Sequence, residues 1–256
     1  MISNQNIPWR RLSVEAAAIV SSILLAFAID AWWDERKDRI DEKEVLESLL
    51  VEFQTNKDEV ASVILAHETA VHSVATLMEL GQDEILALST DEVQQHIQML
   101  ANPRTFDAVR GSIDALTSSG SLGILRDHEL REALTTFVNI LEDAVEDREY
   151  LSQTAMTVWN DIAESGGPWR MKVGNLTAED CSRQNPHRHC YINRFLVFLP
   201  VATPQDLVRL RNNVVLMSHA KQNKINAVRY AAEIRQAELQ IETVIRLLEK
   251  NLSRGV

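Results

Sequence analysis

The chain has 256 residues, a formal net charge of −11 and 45% hydrophobic residues, which is ordinary for a folded protein of one or two domains. Residues 1–11 contain two arginines and no acid, so the remainder carries about −13. Such an acidic body repels phosphate backbones, so nucleic acid is not an expected partner. The eight glycines and six prolines are few. Because both residues interrupt regular structure, their scarcity favours long helices.

The first feature along the chain is an apolar run, residues 16–29, which is bracketed by Glu15 and Asp30. With its apolar neighbours the run reaches roughly 20 residues, the usual length of a membrane-spanning helix. Trp9 and Trp32 are 23 residues apart in the sequence. On a helix they would be separated by about 34 Å, which suits aromatic residues at the two interfaces of one bilayer.

We therefore predict a cytoplasmic tip and transmembrane anchor in residues 1–33 and a soluble helical bundle in residues 34–256. Acids in a spanning helix are costly, so they are expected at an interface or paired with a neighbouring helix. Small side chains allow two helices to pack closely. The predicted interface and helix-packing residues are Trp9, Arg10, Arg11, Glu15, Ser21, Ser22, Asp30, Trp32 and Trp33.

Two other interpretations of the apolar run compete with the anchor. A cleaved signal peptide also has basic residues, an apolar run and a small-residue site, here Ala26-Phe27-Ala28. The other competitor is a buried core helix. The tandem Trp32-Trp33 and the uninterrupted helical pattern after it favour the anchor over cleavage.

From Asp34 onward, apolar residues recur mostly at three- and four-residue steps, which predicts an amphipathic helix to about Leu80. Capping, loop and breaker residues then divide the rest of the chain. The further predicted helices are a short one from Ser89 to Ala101, one over Thr105–Leu116, a long one from Asp127 to Ala163 and a last one from Thr203 to Leu252. The predicted fold class is all-α: one transmembrane helix that continues into a bundle of long antiparallel helices.

Residues 166–203 are predicted to be an irregular loop that contains both cysteines, Cys181 and Cys190. Together with His187 and His189 they offer four possible zinc ligands. Their spacing matches no common zinc motif, however, and adjacent His189 and Cys190 would be strained as joint ligands. A disulfide between Cys181 and Cys190 in an oxidising compartment is the preferred prediction, with free thiols and a metal site as alternatives.

No catalytic motif is evident. His67 and His72 resemble the paired histidines of zinc proteases, but they are five residues apart and therefore about 140° apart on a helix. Gly120-Ser121-Leu122-Gly123 lacks the preceding strand and the following lysine of a phosphate-binding loop. We expect a protein that is not an enzyme and has no cofactor.

Several stretches resemble a family of uncharacterised bacterial single-pass membrane proteins. Ser22–Arg39 (SILLAFAIDAWWDERKDR) has that family's order of aliphatic run, acidic or polar residue, Trp and charged tail. Phe106–Ala108, Leu116–Gly120 and Ile124–Asp127 are similar to its Ala-Tyr-x-x-Leu-x-Ser-Ser-Gly segment, whereas the Cys181–Cys190 insertion is not. The resemblance implies an inner-membrane anchor and an all-helical body, and it implies no activity.

The expected function is that of a membrane-anchored structural or interaction protein, either a self-associating scaffold or an accessory subunit of a larger complex. Apolar stripes on long helices need partners to bury them. The expected partners are the lipid bilayer and either the chain itself or other membrane-protein subunits. The alternative is a periplasmic small-molecule sensor or ligand-binding bundle whose pocket is the loop at residues 166–203.

The orientation in the membrane is only weakly indicated. Arg10 and Arg11 precede the apolar run, and Arg36, Lys37, Arg39 and Lys43 follow it, so the positive-inside rule discriminates little. The cysteine pair favours a periplasmic body and a cytoplasmic N-terminus.

Overall fold

A computed structural model describes residues 9–101, 104–165, 170–171, 198–199 and 202–254. Three long helices dominate: α1 (Trp9–Glu79), α5 (His128–Glu164) and α7 (Val214–Arg254). The shorter elements are α2 (Gln82–Leu86), α3 (Thr90–Leu100), α4 (Gly111–Ser118), a 3-10 helix (Ser121–Ile124) and α6 (Pro204–Asn212). The predicted all-α fold with a long N-terminal helix is confirmed.

Little of the predicted loop at residues 166–203 is described. Within it, the two-residue strand β1 (Arg170–Met171) pairs antiparallel with β2 (Phe198–Leu199). Cys181, His187, His189 and Cys190 lie outside the described residues.

Helix α1 is a single helix of 71 residues, about 107 Å long at the usual rise per residue. No glycine or proline occurs within it. It ends just before Gly81, which is the N-cap of α2. The backbone N–H of Gly81 donates to the Glu84 carboxylate at 2.6 Å. The helix therefore continues without a break from the apolar run into the body.

Helix α7 packs against both α1 and α5 and runs antiparallel to each. Ion pairs with the two neighbours show its direction between Arg229 and Lys250. The cross-helix pairs are Arg235 with Glu68, Lys57 with Glu242 at 3.0 Å, Arg229 with Asp147 at 2.9 Å and Lys250 with Glu129 at 3.3 Å. Residue numbers that increase along α7 pair with residue numbers that decrease along α1 and along α5. Both helices are therefore antiparallel to α7 and parallel to each other.

Two apolar cores lie along the bundle. The first core surrounds Phe53 of α1 and Phe137 of α5, whose ring centroids are 4.8 Å apart, and it extends to Leu248 of α7. The second core lies farther from the N-terminus of α1, where α2, α3 and α6 cover Leu77, Val158 and their neighbours. The fully buried aromatic pair makes the first core the larger source of apolar packing energy.

A polar layer between α5 and α7 lies between these cores. Asn223, which is 3% exposed, donates through Nδ2 to the carbonyl oxygen of Leu151 at 3.2 Å and to Thr154 Oγ1 at 3.0 Å. Asn226 Nδ2 donates to Thr154 Oγ1 at 3.3 Å. Because buried amides need partners, these bonds favour one register between the two helices.

The sequence prediction of a helix over Thr105–Leu116 is wrong in its first half. Residues 104–110 are not helical, and α4 begins only at Gly111. The physical reason is that backbone N–H and C=O groups of this stretch bond to side chains of other helices instead of to each other. Asn56 bonds to both backbone groups of Val109, and the Tyr230 hydroxyl accepts from the N–H of Phe106.

Replacing Phe53 by Ala is expected to lower the free energy of unfolding by about 4 kcal/mol, because it leaves a cavity against Phe137. Val51, on the same helix and 65% exposed, is the matched control. Val51→Ala should change the stability by less than about 0.5 kcal/mol. Chemical unfolding of the detergent-solubilised chain, followed by circular dichroism, measures both; equal losses would contradict the assigned core.

Candidate functional site

The N-terminal part of α1 stands clear of the bundle. Every described side chain from Glu15 to Asp41 is exposed, and the first buried apolar residue is Leu46. A stretch of 18 residues near the start of the helix is long and apolar enough to span a membrane, and none of it is buried inside the protein. The segment is therefore not a core helix of this chain.

The predicted interface residues lie along this exposed part and do not converge on one point. Trp9, Arg10 and Arg11 form the first turn of α1, although their side chains lie outside the described part. The described side chains, all exposed, are those of Glu15, Ser21, Ser22, Asp30, Trp32 and Trp33. Ser22 Oγ donates to the carbonyl oxygen of Ala18 at 2.8 Å, so its hydroxyl is satisfied within the helix. The rings of Trp32 and Trp33 are 6.1 Å apart.

The body is attached to α1 immediately after these tryptophans. Arg126, between the 3-10 helix and α5, binds Glu35 with its guanidinium at 2.7 Å. Its backbone N–H donates to the carboxylate of Glu42, also at 2.7 Å. The hydrogen bond from Arg126, and then that from Arg39, lower the pKa of Glu35. Glu35 is only two residues beyond Trp33, about 3 Å along the helix axis.

Farther along α1, polar side chains bind the backbone of the segment that returns from α3 to α5. We call this set the return clamp: Glu52, Asn56 and His67 of α1 with Tyr230 of α7. Glu52 accepts from the N–H groups of Ser112 at 2.6 Å and Ile113 at 3.4 Å. These are free N–H groups at the start of α4, whose own N-cap residue provides no side-chain bond. Burial raises the pKa of Glu52, and the two backbone donors oppose that rise.

Asn56 holds the next stretch of the segment with two bonds. Its Nδ2 donates to the carbonyl oxygen of Val109 at 2.8 Å, and its Oδ1 accepts from the Val109 N–H at 2.7 Å. The Tyr230 hydroxyl accepts from the Phe106 N–H at 2.7 Å, and burial raises the pKa of Tyr230 to about 12. These hydrogen bonds are made to backbone atoms rather than to side chains, so they fix the path of the segment.

His67 completes the clamp and is fully buried. Its Nε2 lies 2.8 Å from the carbonyl oxygen of Arg104, and because a carbonyl only accepts, Nε2 carries the proton. Nδ1 is buried and has no hydrogen-bond partner among the described residues. The His67 ring meets the Tyr230 ring edge-on at 5.7 Å. Burial lowers the pKa of His67, which therefore stays neutral.

The described serine and histidine pairs do not have the geometry of a known catalytic arrangement. Ser73 Oγ and His96 Nδ1 are hydrogen-bonded at 2.8 Å, but Ser73 lies within α1, where helix bonds occupy the backbone N–H groups that an oxyanion would need. His67 is buried and His72 is exposed, so the two histidines do not share a site. No group of three or more His, Cys, Asp or Glu in the described part is placed to hold a metal ion.

Among the described residues, a small cavity lies between α1, α3 and α7. Its space for water-sized molecules is only about 10 Å³, and Val74, Leu100, Asn223 and Lys224 are among its lining residues. Pockets for drug-sized ligands usually have volumes of about 300–1,000 Å³. This cavity is therefore too small for such a ligand.

Sequence reasoning missed the return clamp and the contacts of Arg126 with Glu35 and Glu42. A signal was present for the clamp, because Glu52, Asn56 and His67 interrupt the apolar face of α1, as do the buried Glu59 and Ser73. Their partners are backbone atoms 37 to 61 residues away along the chain, and no side-chain pattern marks such partners.

No protein-family model, curated protein or solved structure matches this chain. The resemblance drawn from Ser22–Arg39 and from the stretches between Phe106 and Asp127 stays a prediction. The functional argument therefore depends on the chain's own exposed surfaces and contacts.

Asn56→Leu is expected to lower the free energy of unfolding by about 2 kcal/mol, because the N–H and the carbonyl of Val109 both lose their partner. Gln54→Leu, at an exposed position on the same helix, is the matched control and should be nearly neutral. Hydrogen exchange at residues 104–113 should accelerate only in the Asn56 variant. Unchanged exchange there would contradict the clamp.

The buried neutral His67 should make stability depend on pH. Its unfolded-state pKa is near 6.5 and its folded-state pKa is lower, so the unfolded chain takes up the proton first. The stabilisation is present above pH 6.5 and is lost as the pH falls below it, by up to about 1.4 kcal/mol per pH unit.

His67→Gln keeps an amide donor for Arg104 and does not titrate, so it is the comparison for this prediction. Arg104 is the nearby cation that also lowers the pKa of His67. Urea unfolding at pH 7.5, 6.5 and 5.5 should show a smaller loss in the variant than in the wild type. Parallel pH profiles would show that His67 does not titrate on unfolding.

Proposed function

We propose that this chain is a membrane-anchored structural or interaction protein that does not act as an enzyme. The observation that carries the proposal is α1, whose exposed apolar part continues without a break into the helix that holds the body. Exposing such a segment to water is unfavourable, and a bilayer is the solvent that matches its length and composition. Trp32 and Trp33, at 60% and 62% exposed, suit the membrane interface at its end.

Exposed apolar surfaces on the described part of the body support an interaction role. Exposed apolar side chains occur on all three long helices, among them Leu65 at 64%, Met156 at 53% and Leu239 at 65%. These surfaces are suited to contacts with another copy of the chain or with other membrane subunits. The proposed role is a self-associating scaffold or an accessory subunit of a larger membrane complex. The alternative of a ligand-binding sensor places its pocket in the loop at residues 166–203, most of which lies outside the described residues.

The finer features of the proposal come from the sequence. We place the anchor in the bacterial inner membrane, with a cytoplasmic N-terminus and a periplasmic body. A disulfide between Cys181 and Cys190 belongs to the same proposal, because it needs an oxidising compartment.

The full chain, extracted in mild detergent, is expected to have the mass of two or more copies of the 29.0 kDa chain or to co-purify with other membrane subunits. Light scattering with the detergent contribution subtracted measures this mass. Deleting residues 1–33 should release the protein from the membrane fraction, because the apolar segment is lost.

The deletion variant needs a helical circular dichroism spectrum for its release to be meaningful. A full-length chain that washes off membranes at high salt would contradict anchoring. A 29.0 kDa monomer with no co-purifying partner would contradict the scaffold and subunit roles.

A further inference from the structure

The body reverses direction at the end of the bundle that lies nearest the apolar segment of α1. Between Arg104 and Ser112 the chain bonds to α1 residues of decreasing number, from His67 to Glu52. The chain therefore runs toward the N-terminus of α1 as it enters α4. Helix α5 then leads away again, parallel to α1. We call the reversal between these two directions, Ala115–Leu125, the body corner.

Arg126, the residue that follows the body corner, shows how close the corner is to the tryptophans. Its backbone N–H bonds to the carboxylate of Glu42, and its guanidinium bonds to that of Glu35, each at 2.7 Å. Along the axis of α1, Glu42 is about 14 Å beyond Trp33, and Glu35 is about 3 Å beyond it. Helix side chains lean toward the N-terminus, so both carboxylates lie closer to Trp33 than their own Cα atoms do. The end of the corner is therefore within about 14 Å of the level of Trp33.

This height corresponds to the polar surface of a bilayer. With the span ending at Trp32 and Trp33, as proposed above, the headgroup layer begins at that level and is about 5–8 Å thick. The corner lies beside α1, so it overhangs the lipid next to the helix. Spanning helices are tilted by about 20° on average, and such a tilt toward the corner lowers a neighbouring element by roughly 3 Å. The side chains of the corner can therefore reach the headgroups.

The composition of the body corner suits this position. Ala115–Leu125 contains no charged residue, although 25% of the chain is charged. Two of its hydroxyls are satisfied locally, because Ser118 and Ser119 each donate at 2.6 Å to the carbonyl oxygen four residues earlier. Ile124 is 38% exposed. Such a surface loses little hydration when headgroups and upper acyl chains replace water around it.

Carboxylates beside the corner have cationic partners. Glu35 and Glu42 both bind Arg126, and Lys250 at the end of α7 lies 3.3 Å from Glu129 at the start of α5. An anionic membrane surface repels unpaired acids, and the body as a whole is acidic. Pairing lowers this repulsion at the end of the bundle that faces the membrane.

We propose that the body corner rests on the bilayer interface and forms a second membrane contact beside the spanning helix. This inference rests on the proposed anchoring of the chain. The partner is the layer of lipid headgroups and upper acyl chains, and the contact needs no anionic lipid because the corner is uncharged. Two points of attachment, the span and the corner, hold the bundle at one tilt and one rotation above the membrane.

The anchor explains how so small a contact can persist. Ile124 is a single exposed side chain, and burying it contributes only about 2 kcal/mol. The corner would therefore not hold a free body on a membrane. The span keeps the corner at the surface and raises its effective concentration there, so a weak contact is formed most of the time.

Photo-labelling of the unmodified full chain tests the contact. The protein is reconstituted in phosphatidylcholine vesicles that contain a phosphatidylcholine with a diazirine close to its headgroup, and lipid adducts are mapped by mass spectrometry. Adducts are expected in the body corner as well as near Trp32 and Trp33. None is expected at Leu86, which is equally exposed but lies beyond the far end of α1. The yield at the corner should be unchanged when phosphatidylglycerol is added or the salt concentration is raised.

A matched pair of substitutions tests the part played by Ile124. In vesicles that contain phosphatidylglycerol, Ile124→Asp should lower the adduct yield at the corner roughly fivefold, because one acidic charge is repelled by the anionic surface. Leu86→Asp introduces the same charge at a side chain that is also 38% exposed, and it should leave the yield unchanged. Both variants need the helical circular dichroism spectrum of the wild type.

The possible results separate this inference from the proposed anchoring. Adducts near the tryptophans without adducts at the corner would overturn the second contact and leave the anchor intact. Corner adducts that appear only with phosphatidylglycerol, or that disappear at high salt, would replace the uncharged contact by an electrostatic one. Equal yields from wild type and Ile124→Asp would also contradict the inference. Absence of adducts from the whole apolar segment would overturn the anchoring itself.

Discussion

The attachment of the body to α1 is the constraint on which the rest of the structure depends. The return segment, residues 104–113, crosses the bundle without helical bonds of its own over its first half, so its backbone groups need partners elsewhere. Glu52, Asn56 and His67 of α1 provide them, and Arg126 adds a last contact at Glu35. Because Glu35, Glu52, Asn56 and His67 all project from one continuous helix, the exposed apolar segment and the body form one mechanical unit.

Polar groups determine the register of this bundle, and apolar groups provide most of its stability. The first and second cores consist mainly of aliphatic side chains around a few aromatic rings. Aliphatic side chains of similar size can replace one another in such contacts, so the cores alone would tolerate a shift of one helical turn. The buried hydrogen bonds do not tolerate such a shift, because it would leave buried amides without partners. These bonds join Asn223 and Asn226 to Thr154, and Asn56 to Val109. The clamp and the polar layer therefore select one arrangement among several that would bury similar apolar area.

The sequence allowed prediction of the long helices because their signals are local. Apolar periodicity and caps such as Asp127, which accepts from Glu129 and Leu130 N–H groups, place helix ends within a few residues. The helix over Thr105–Leu116 was wrong because a local pattern cannot show that Asn56 and Tyr230 compete for the same backbone bonds. Trp32 and Asp30 lie on the exposed part of α1, and their place at a membrane interface stays a prediction, while Glu35 nearby acquires its role only from Arg126, 91 residues away.

A rigid junction and a flexible linker have different consequences for an anchored body. With a flexible linker the bundle would rotate and tilt freely, and a weak contact between copies would lose most of its free energy to ordering. Here α1 has no glycine or proline between the apolar run and the first core, and Arg126 joins the corner before α5 to Glu35. The height and tilt of α5 and α7 above the tryptophans are therefore set before any neighbour arrives. That preorganisation lowers the ordering cost of the proposed self-association within a membrane.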